Sequence, residues 1–136
     1  MDADRIQAEI YVERLQQAVR VMAGLSETDR AHFDVDIWAT VRDGNFVACV
    51  AGHCGQDPWF QAQGLFTYVG APDSREIGSI YPHPIEFFGT DTAFYRHTYE
   101  PALGGRAVTV DDAIAALKQA IREFGGDESS DMTAAS

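Results

Sequence analysis

The chain has 136 residues, 46% hydrophobic and 11% aromatic, a composition typical of one globular domain with its own core. It carries 21 acidic and 10 basic residues, a net charge of −11, and the basic residues are scattered among the acids. Such a surface repels nucleic-acid phosphates and anionic lipids, so we expect no direct nucleic-acid or membrane partner.

The first segment predicts an amphipathic helix. Asp2 or Asp4 is expected to cap its start and Gly24 to end it. Its apolar face recurs at helical spacing, at Tyr11, Leu15, Ala18 and Met22, widened by Val12 and Val19.

The acidic N-terminus lacks the basic start and apolar block of a secretory signal, and the chain has only two cysteines. We therefore expect a cytoplasmic protein.

The middle of the chain predicts short strands. Residues 33–41 alternate apolar and polar side chains, which favours a strand, and Asp43-Gly44 favours a hairpin turn after it. Residues 46–54 are expected to begin as a strand and pass into a helix, with Gly52 allowing close packing. Residues 66–81 predict two further strands around a Pro-Asp turn.

The last third predicts helices. Residues 84–101 indicate two short ones, the second capped by Thr90 or Asp91. Thr109 is expected to cap a final amphipathic helix that ends before residues 125–126, and residues 127–136 are expected to be a disordered acidic tail. These elements predict a mainly helical α+β domain spanning residues 1–126. Its terminal helices pack on a helical middle with a short antiparallel β element. The apolar stripe of the last helix comprises Val110, Ile114, Leu117, Ile121 and Phe124.

Residues 46–65, 86–101 and 109–121 resemble a set of small uncharacterised bacterial and phage proteins. In that set a Trp precedes a Cys-Gly-Thr-Val-x-Cys-x-x-Gly-like segment, and a Phe-Phe-Gly helix and a final Thr-Pro helix follow. The first cysteine of the pattern is replaced here by Asp43 or Gly44. The resemblance implies a phage or mobile-element accessory protein, without a known activity. The matching residues are Trp38, Val47, Cys49, Gly52, Phe87, Phe88, Gly89 and Thr109.

Cys49, His53 and Cys54 are the residues that most suggest chemistry. On a helix, Cys49 and His53 would share a face and could bind one metal ion, whereas Cys54 would lie about 100° away. Either cysteine could also act as a nucleophile beside a histidine. A zinc-ribbon spacing and a nucleotide-binding glycine loop are both missing, so we expect core packing here and neither a metal nor a cofactor. A Cys/His-dependent enzyme or metal-binding protein is the alternative.

Two ring-rich segments, 81–88 and 95–101, predict a contact surface. Prolines flank His83 and favour an extended, exposed loop, and rings with polar tips are common at interfaces. We therefore expect a non-enzymatic acidic binding protein. It would occlude a basic surface on a host protein that handles nucleic acid, as anti-CRISPR inhibitors do. The expected binding residues are Tyr81, His83, Glu86, Arg96, His97, Tyr99 and Glu100.

Overall fold

A computed structural model describes residues 2–103 and 106–126, which form α-helices, one 3₁₀ turn and two separate two-stranded antiparallel sheets. This confirms the mainly helical α+β fold. No helix in these ranges is long and apolar enough to cross a membrane. The elements are α1 (Asp2–Ala23), α2 (Glu27–Ala31), β1 (Thr40–Arg42), β2 (Asn45–Val47), α3 (Val50–Cys54), α4 (Pro58–Ala62), β3 (Phe66–Tyr68), β4 (Ser79–Tyr81), α5 (Pro84–Phe88), the 3₁₀ turn (Arg96–Thr98), α6 (Glu100–Leu103) and α7 (Val110–Glu123).

The two terminal helices pack against each other, and α1 also contacts α3 and α5 of the helical middle on which packing was predicted. Leu15 and Met22 of α1 and Leu117 and Ile121 of α7 are fully buried. The predicted Thr109 cap is confirmed as a capping box: its hydroxyl accepts from the Asp112 N–H at 3.1 Å, and its own N–H donates to the Asp112 carboxylate at 2.9 Å.

The expected cap of the first helix is wrong. Helix α1 includes both Asp2 and Asp4, so neither residue precedes it as a cap. The predicted tail, residues 127–136, lies outside the described residues.

The first predicted hairpin is present. Strands β1 and β2 pair with Arg42 opposite Asn45, and Asp43 and Gly44 turn between them with φ of 51° and 78°. The strand expected over residues 33–41 is wrong before Thr40. The Asp34 carboxylate accepts from the Asp36 N–H at 2.9 Å, which turns the backbone out of an extended path. The alternation of burial holds only in part: positions 35, 37 and 39 are buried and 36 is exposed, but Thr40 is buried and positions 33 and 41 are partly buried.

Residues 84–101 form less regular structure than predicted. Helix α5 ends at Gly89, whose φ of 76° is the left-handed cap that glycine favours. A second helix capped by Thr90 or Asp91 is wrong, because the Thr90 hydroxyl accepts from the Thr92 N–H at 3.1 Å and holds a turn. The chain then continues through the 3₁₀ turn into α6.

Helix α3 lies at the centre of the fold, and all five of its residues are buried. A Cβ added at Gly52 would lie 1.6 Å from the Trp38 carbonyl oxygen, so only glycine permits this approach of helix to loop. The predicted passage from strand to helix, with Gly52 at a close contact, is confirmed.

Candidate functional site

The hairpin of β3 and β4 exposes aromatic rings on one side. Phe66 is 40% exposed, Tyr68 56% and Tyr81 70%. Phe66 lies directly opposite Tyr81 in the strand register, and Tyr68 follows two residues after Phe66, so all three rings stand on the same face of the sheet. We call Phe66, Tyr68 and Tyr81 the aromatic face. Val69 and Ile77, next to the two strands, are also exposed.

The opposite side of this hairpin is held to the core by a polar residue. Thr67 is buried; its hydroxyl donates to the Gly52 carbonyl at 2.9 Å and accepts from the Gln56 amide at 2.9 Å. The hydroxyl thereby satisfies a carbonyl near the end of α3. Gly55 makes this docking possible, because a Cβ there would lie 2.6 Å from the Thr67 backbone nitrogen. These contacts turn the neighbouring rings toward solvent.

A small cleft of about 150 Å³ lies beside the aromatic face. The Trp38 and Tyr95 rings stand at 85° to each other with centroids 6.0 Å apart. Ile77 belongs both to this cleft and to a shallower groove that includes Tyr68 and Val69, so the two surfaces are continuous. The cleft is lined by residues that include Val35, Asp36, Trp38, Ile77, Tyr95 and Arg96.

Polar groups at the rim of the cleft are paired. Arg96 Nε donates to Asp36 at 2.9 Å and Arg96 Nη2 at 2.6 Å, a two-pronged guanidinium–carboxylate contact. Nearby, the His97 ring lies 3.1 Å from the Asp91 carboxylate and stacks on Tyr95. The side chains of Arg96 and Asp36 stay 43% and 52% exposed, so both are accessible to a partner.

The structure divides the predicted binding residues into two groups. Tyr81, His83 and Glu86 follow one another along β4 and the start of α5, and all three are exposed, as the proline-flanked loop predicts. Arg96 and His97 lie on the 3₁₀ turn, where Arg96 reaches the cleft, and Glu100 is exposed at the start of α6.

Tyr99 does not belong to this surface. It is only 6% exposed, and its hydroxyl donates to the Ala93 carbonyl at 2.6 Å. The ring is part of the core and its polar tip is already satisfied, so these contacts do not support the prediction that Tyr99 binds a partner.

The cysteine segment forms a packed, closed structure. Cys49 and Cys54 are free thiols with 1% and 0% exposure, and Cys49 is the N-cap of α3, where its sulfur accepts from the Gly52 N–H at 3.4 Å. Burial raises the pKa of Cys49 to about 12 and holds that of Cys54 well above its usual value. Both thiols therefore stay protonated at neutral pH and are closed to a substrate, which does not suit a nucleophile.

His53 is buried beside them. Its ring meets Phe46 edge to face with centroids 5.2 Å apart, and its Nε2 is buried without a hydrogen-bond partner. Burial lowers the pKa of His53, so the ring is neutral at physiological pH. Among the described residues, no three His, Cys, Asp or Glu side chains are arranged to hold a metal ion. The segment is packed inside the core.

Sequence reasoning missed most of the aromatic face. It placed strands over residues 66–81, but an alternation of Phe66, Thr67 and Tyr68 would ordinarily direct the rings inward. Instead, Phe66 and Tyr68 are exposed and Thr67 is buried, and only the contact between Thr67 and α3 shows why. Ile85, 54% exposed on α5, was missed for a similar reason: its neighbours Pro84 and Phe87 are buried in its place.

No family model, curated protein or solved structure matches this chain. The resemblance of its segments to small bacterial and phage proteins stays a prediction. Two of the residues that carry it, Gly52 and Gly89, sit where a Cβ would meet Trp38 and Tyr11 respectively.

Proposed function

We propose that this protein acts by binding another protein through the aromatic face and the adjoining cleft. The observation that carries the proposal is the exposure of Phe66, Tyr68 and Tyr81 on one side of a hairpin, next to exposed Val69 and Ile77. A contiguous apolar patch on a soluble domain commonly marks an interaction site, and tyrosine is enriched where interfaces gain most of their energy.

The proposed partner presents a basic surface. The chain has a net charge of −11, and the groove beside Tyr68 includes Glu76, while Glu86 is exposed one turn after His83. Opposite charges speed association and disfavour wrong partners, and the apolar contacts then hold the complex. Proteins that handle nucleic acid carry basic surfaces, so we place the partner in that class and the role in blocking its site.

The cytoplasm is the proposed compartment, and a phage or mobile element the proposed origin. Two free, buried thiols suit a reducing environment. The alternative of a thiol-dependent enzyme gains no support from Cys49 and Cys54, whose raised pKa values and closed surroundings disfavour the thiolate.

The proposal is tested by capture with matched variants. The tagged protein is incubated with bacterial lysate, and bound proteins are compared among the wild type, Tyr68→Ser/Tyr81→Ser and the control Ile6→Ser. Ile6 is 55% exposed on α1, outside the aromatic face, so the control removes a similar exposed apolar side chain elsewhere.

A partner that supports the proposal is retained by the control and lost by the double variant. Because the surface is acidic, we expect added salt to release this partner from the tagged protein. A captured protein that binds all three forms equally, or that is lost only with Ile6→Ser, would contradict the assignment of the aromatic face.

A further inference from the structure

We infer that the cleft lined by Trp38, Tyr95 and Asp36 receives an arginine side chain of the protein partner, whose guanidinium replaces that of Arg96 on Asp36. This inference deepens the proposed function and rests on it, because it names the group that the partner inserts beside the aromatic face.

The size of the cleft favours a single side chain over a free small molecule. Its volume is about 150 Å³. Pockets that bind cofactors or drug-sized ligands generally span about 300–1,000 Å³, so this cleft is too small for that class. Interfaces commonly insert one anchor residue into a pocket of the partner, and tryptophan, tyrosine and arginine are the most frequent anchors.

The walls of the cleft suit a flat cation. Trp38 and Tyr95 meet edge to face and both line the cleft, and a guanidinium stacks on aromatic faces with cation–π attraction. Ile77 and Val35 add apolar surface for the methylene groups of the same side chain. Among the frequent anchors, arginine alone brings a positive charge to both the rings and the carboxylate at the rim.

Asp36 already shows that it holds a guanidinium in this place. Arg96 binds it through Nε at 2.9 Å and Nη2 at 2.6 Å. The hydrogen bonds to Asp36, and beyond them the charges of Asp34 and Glu100, raise the pKa of Arg96. Since the neighbouring Arg106 is paired with Asp112, the acids around Arg96 leave a local negative excess for a second cation.

The exchange has a place for the displaced side chain. Arg96 also lines a second groove together with Glu100, Leu103 and Arg106, and the charge of Arg106 is already paired with Asp112 at 2.6 Å. When a partner's guanidinium takes Asp36, Arg96 can turn toward Glu100 and keep an acidic neighbour. Because the Arg96–Asp36 pair is solvent-exposed, breaking it costs little free energy, and a second guanidinium can compete for Asp36.

The test uses N-acetyl-L-arginine amide as the probe, with N-acetyl-L-citrulline amide as the neutral control of the same shape. Binding is followed by the shift of the Trp38 indole N–H resonance, and Trp59, which packs on Phe60, serves as the internal reference. We expect saturable binding with a dissociation constant on the order of millimolar, and at least about fivefold weaker binding of citrulline.

Two variants give opposite expectations. Asp36→Asn removes the acceptor and is expected to weaken arginine-amide binding at least about fivefold, whereas Arg96→Ala removes the competing cation and is expected to tighten it several-fold. Both positions are exposed, and far-UV circular dichroism confirms that each variant is folded. Equal binding of citrulline, no effect of Asp36→Asn, or weaker binding by Arg96→Ala would each overturn the inference. These outcomes leave the capture test of the aromatic face unaffected, so failure of the cleft and failure of the proposed function can be told apart.

Discussion

Replacing Thr67 by Val and, separately, Tyr81 by Ser tests the unusual orientation of the β3–β4 hairpin. Thr67→Val keeps the side-chain volume but removes the hydroxyl that bonds the Gly52 carbonyl and the Gln56 amide. Tyr81→Ser removes a large ring from a position that is 70% exposed. Hydrophobicity alone would rank the tyrosine change as the more harmful one.

The structure predicts the opposite ranking. Leaving the buried Gly52 carbonyl without its donor is expected to cost about 1–3 kcal/mol of unfolding free energy. Full burial of a large apolar side chain is worth about 1.5–3 kcal/mol, and less than a third of Tyr81 is buried, so its loss is expected to cost at most about 1 kcal/mol.

Urea unfolding followed by circular dichroism measures the difference. With a denaturant slope of about 2 kcal/mol per molar, Thr67→Val should lower the midpoint by about 0.5–1.5 M and Tyr81→Ser by less than about 0.5 M. The reasoning is refuted if Tyr81→Ser is the more destabilising change, because the ring would then be part of the core and unavailable to a partner.

Three further perturbations test the core. Cys49→Ser is expected to cost about 1–3 kcal/mol of unfolding free energy in the same urea assay, because it buries a poorly satisfied hydroxyl. Native wild-type protein should react with a thiol reagent at neutral pH far more slowly than unfolded protein, and rapid labelling of the native protein would contradict the closed site. Burial lowers the pKa of His53 below its ordinary value of 6.5, so the unfolded chain binds a proton more readily than the folded chain. The unfolding free energy should therefore fall as pH drops from 7 through 6.5. His53→Gln should flatten this dependence on pH, and an unchanged dependence would exclude His53 as its cause. Leu117→Ala should cost about 2–5 kcal/mol, whereas Ala115→Ser, at an exposed position of the same helix, should cost little; equal small effects would mean that α7 is not docked.

The parts of the fold that were predicted from sequence depend on local chemistry. Asp43 and Gly44 tolerate positive φ, and Thr109 with Asp112 caps a helix through its own neighbours, so the responsible residues lie beside the feature they determine. The turn at Asp34 was missed although it too is local, because the side-chain bond to the Asp36 N–H leaves the apolar alternation intact while ending the strand.

The candidate site was only partly predictable. Exposure of Tyr81 and His83 follows from the adjacent prolines, which the sequence shows directly. The cleft brings together Trp38, Ile77 and Tyr95 from three distant segments, and no local sequence pattern indicates that these residues lie side by side. The burial of Tyr99 could not be derived from its neighbours in sequence, because its hydroxyl donates to the Ala93 carbonyl inside the core, a contact that depends on how the turn before α6 folds.

The most direct test of the central claim is the association rate of the captured partner with charge-reversed variants, measured at low and high salt. Glu86→Lys and Glu100→Lys change acids beside the predicted contact segments, and Glu9→Lys and Glu13→Lys change exposed acids of α1 as matched controls. We predict that salt lowers the wild-type association rate and that the first pair of variants lowers it several-fold more than the second, with smaller changes in dissociation. An association rate that is independent of salt and equal in all four variants would contradict an acidic surface that docks on a basic partner.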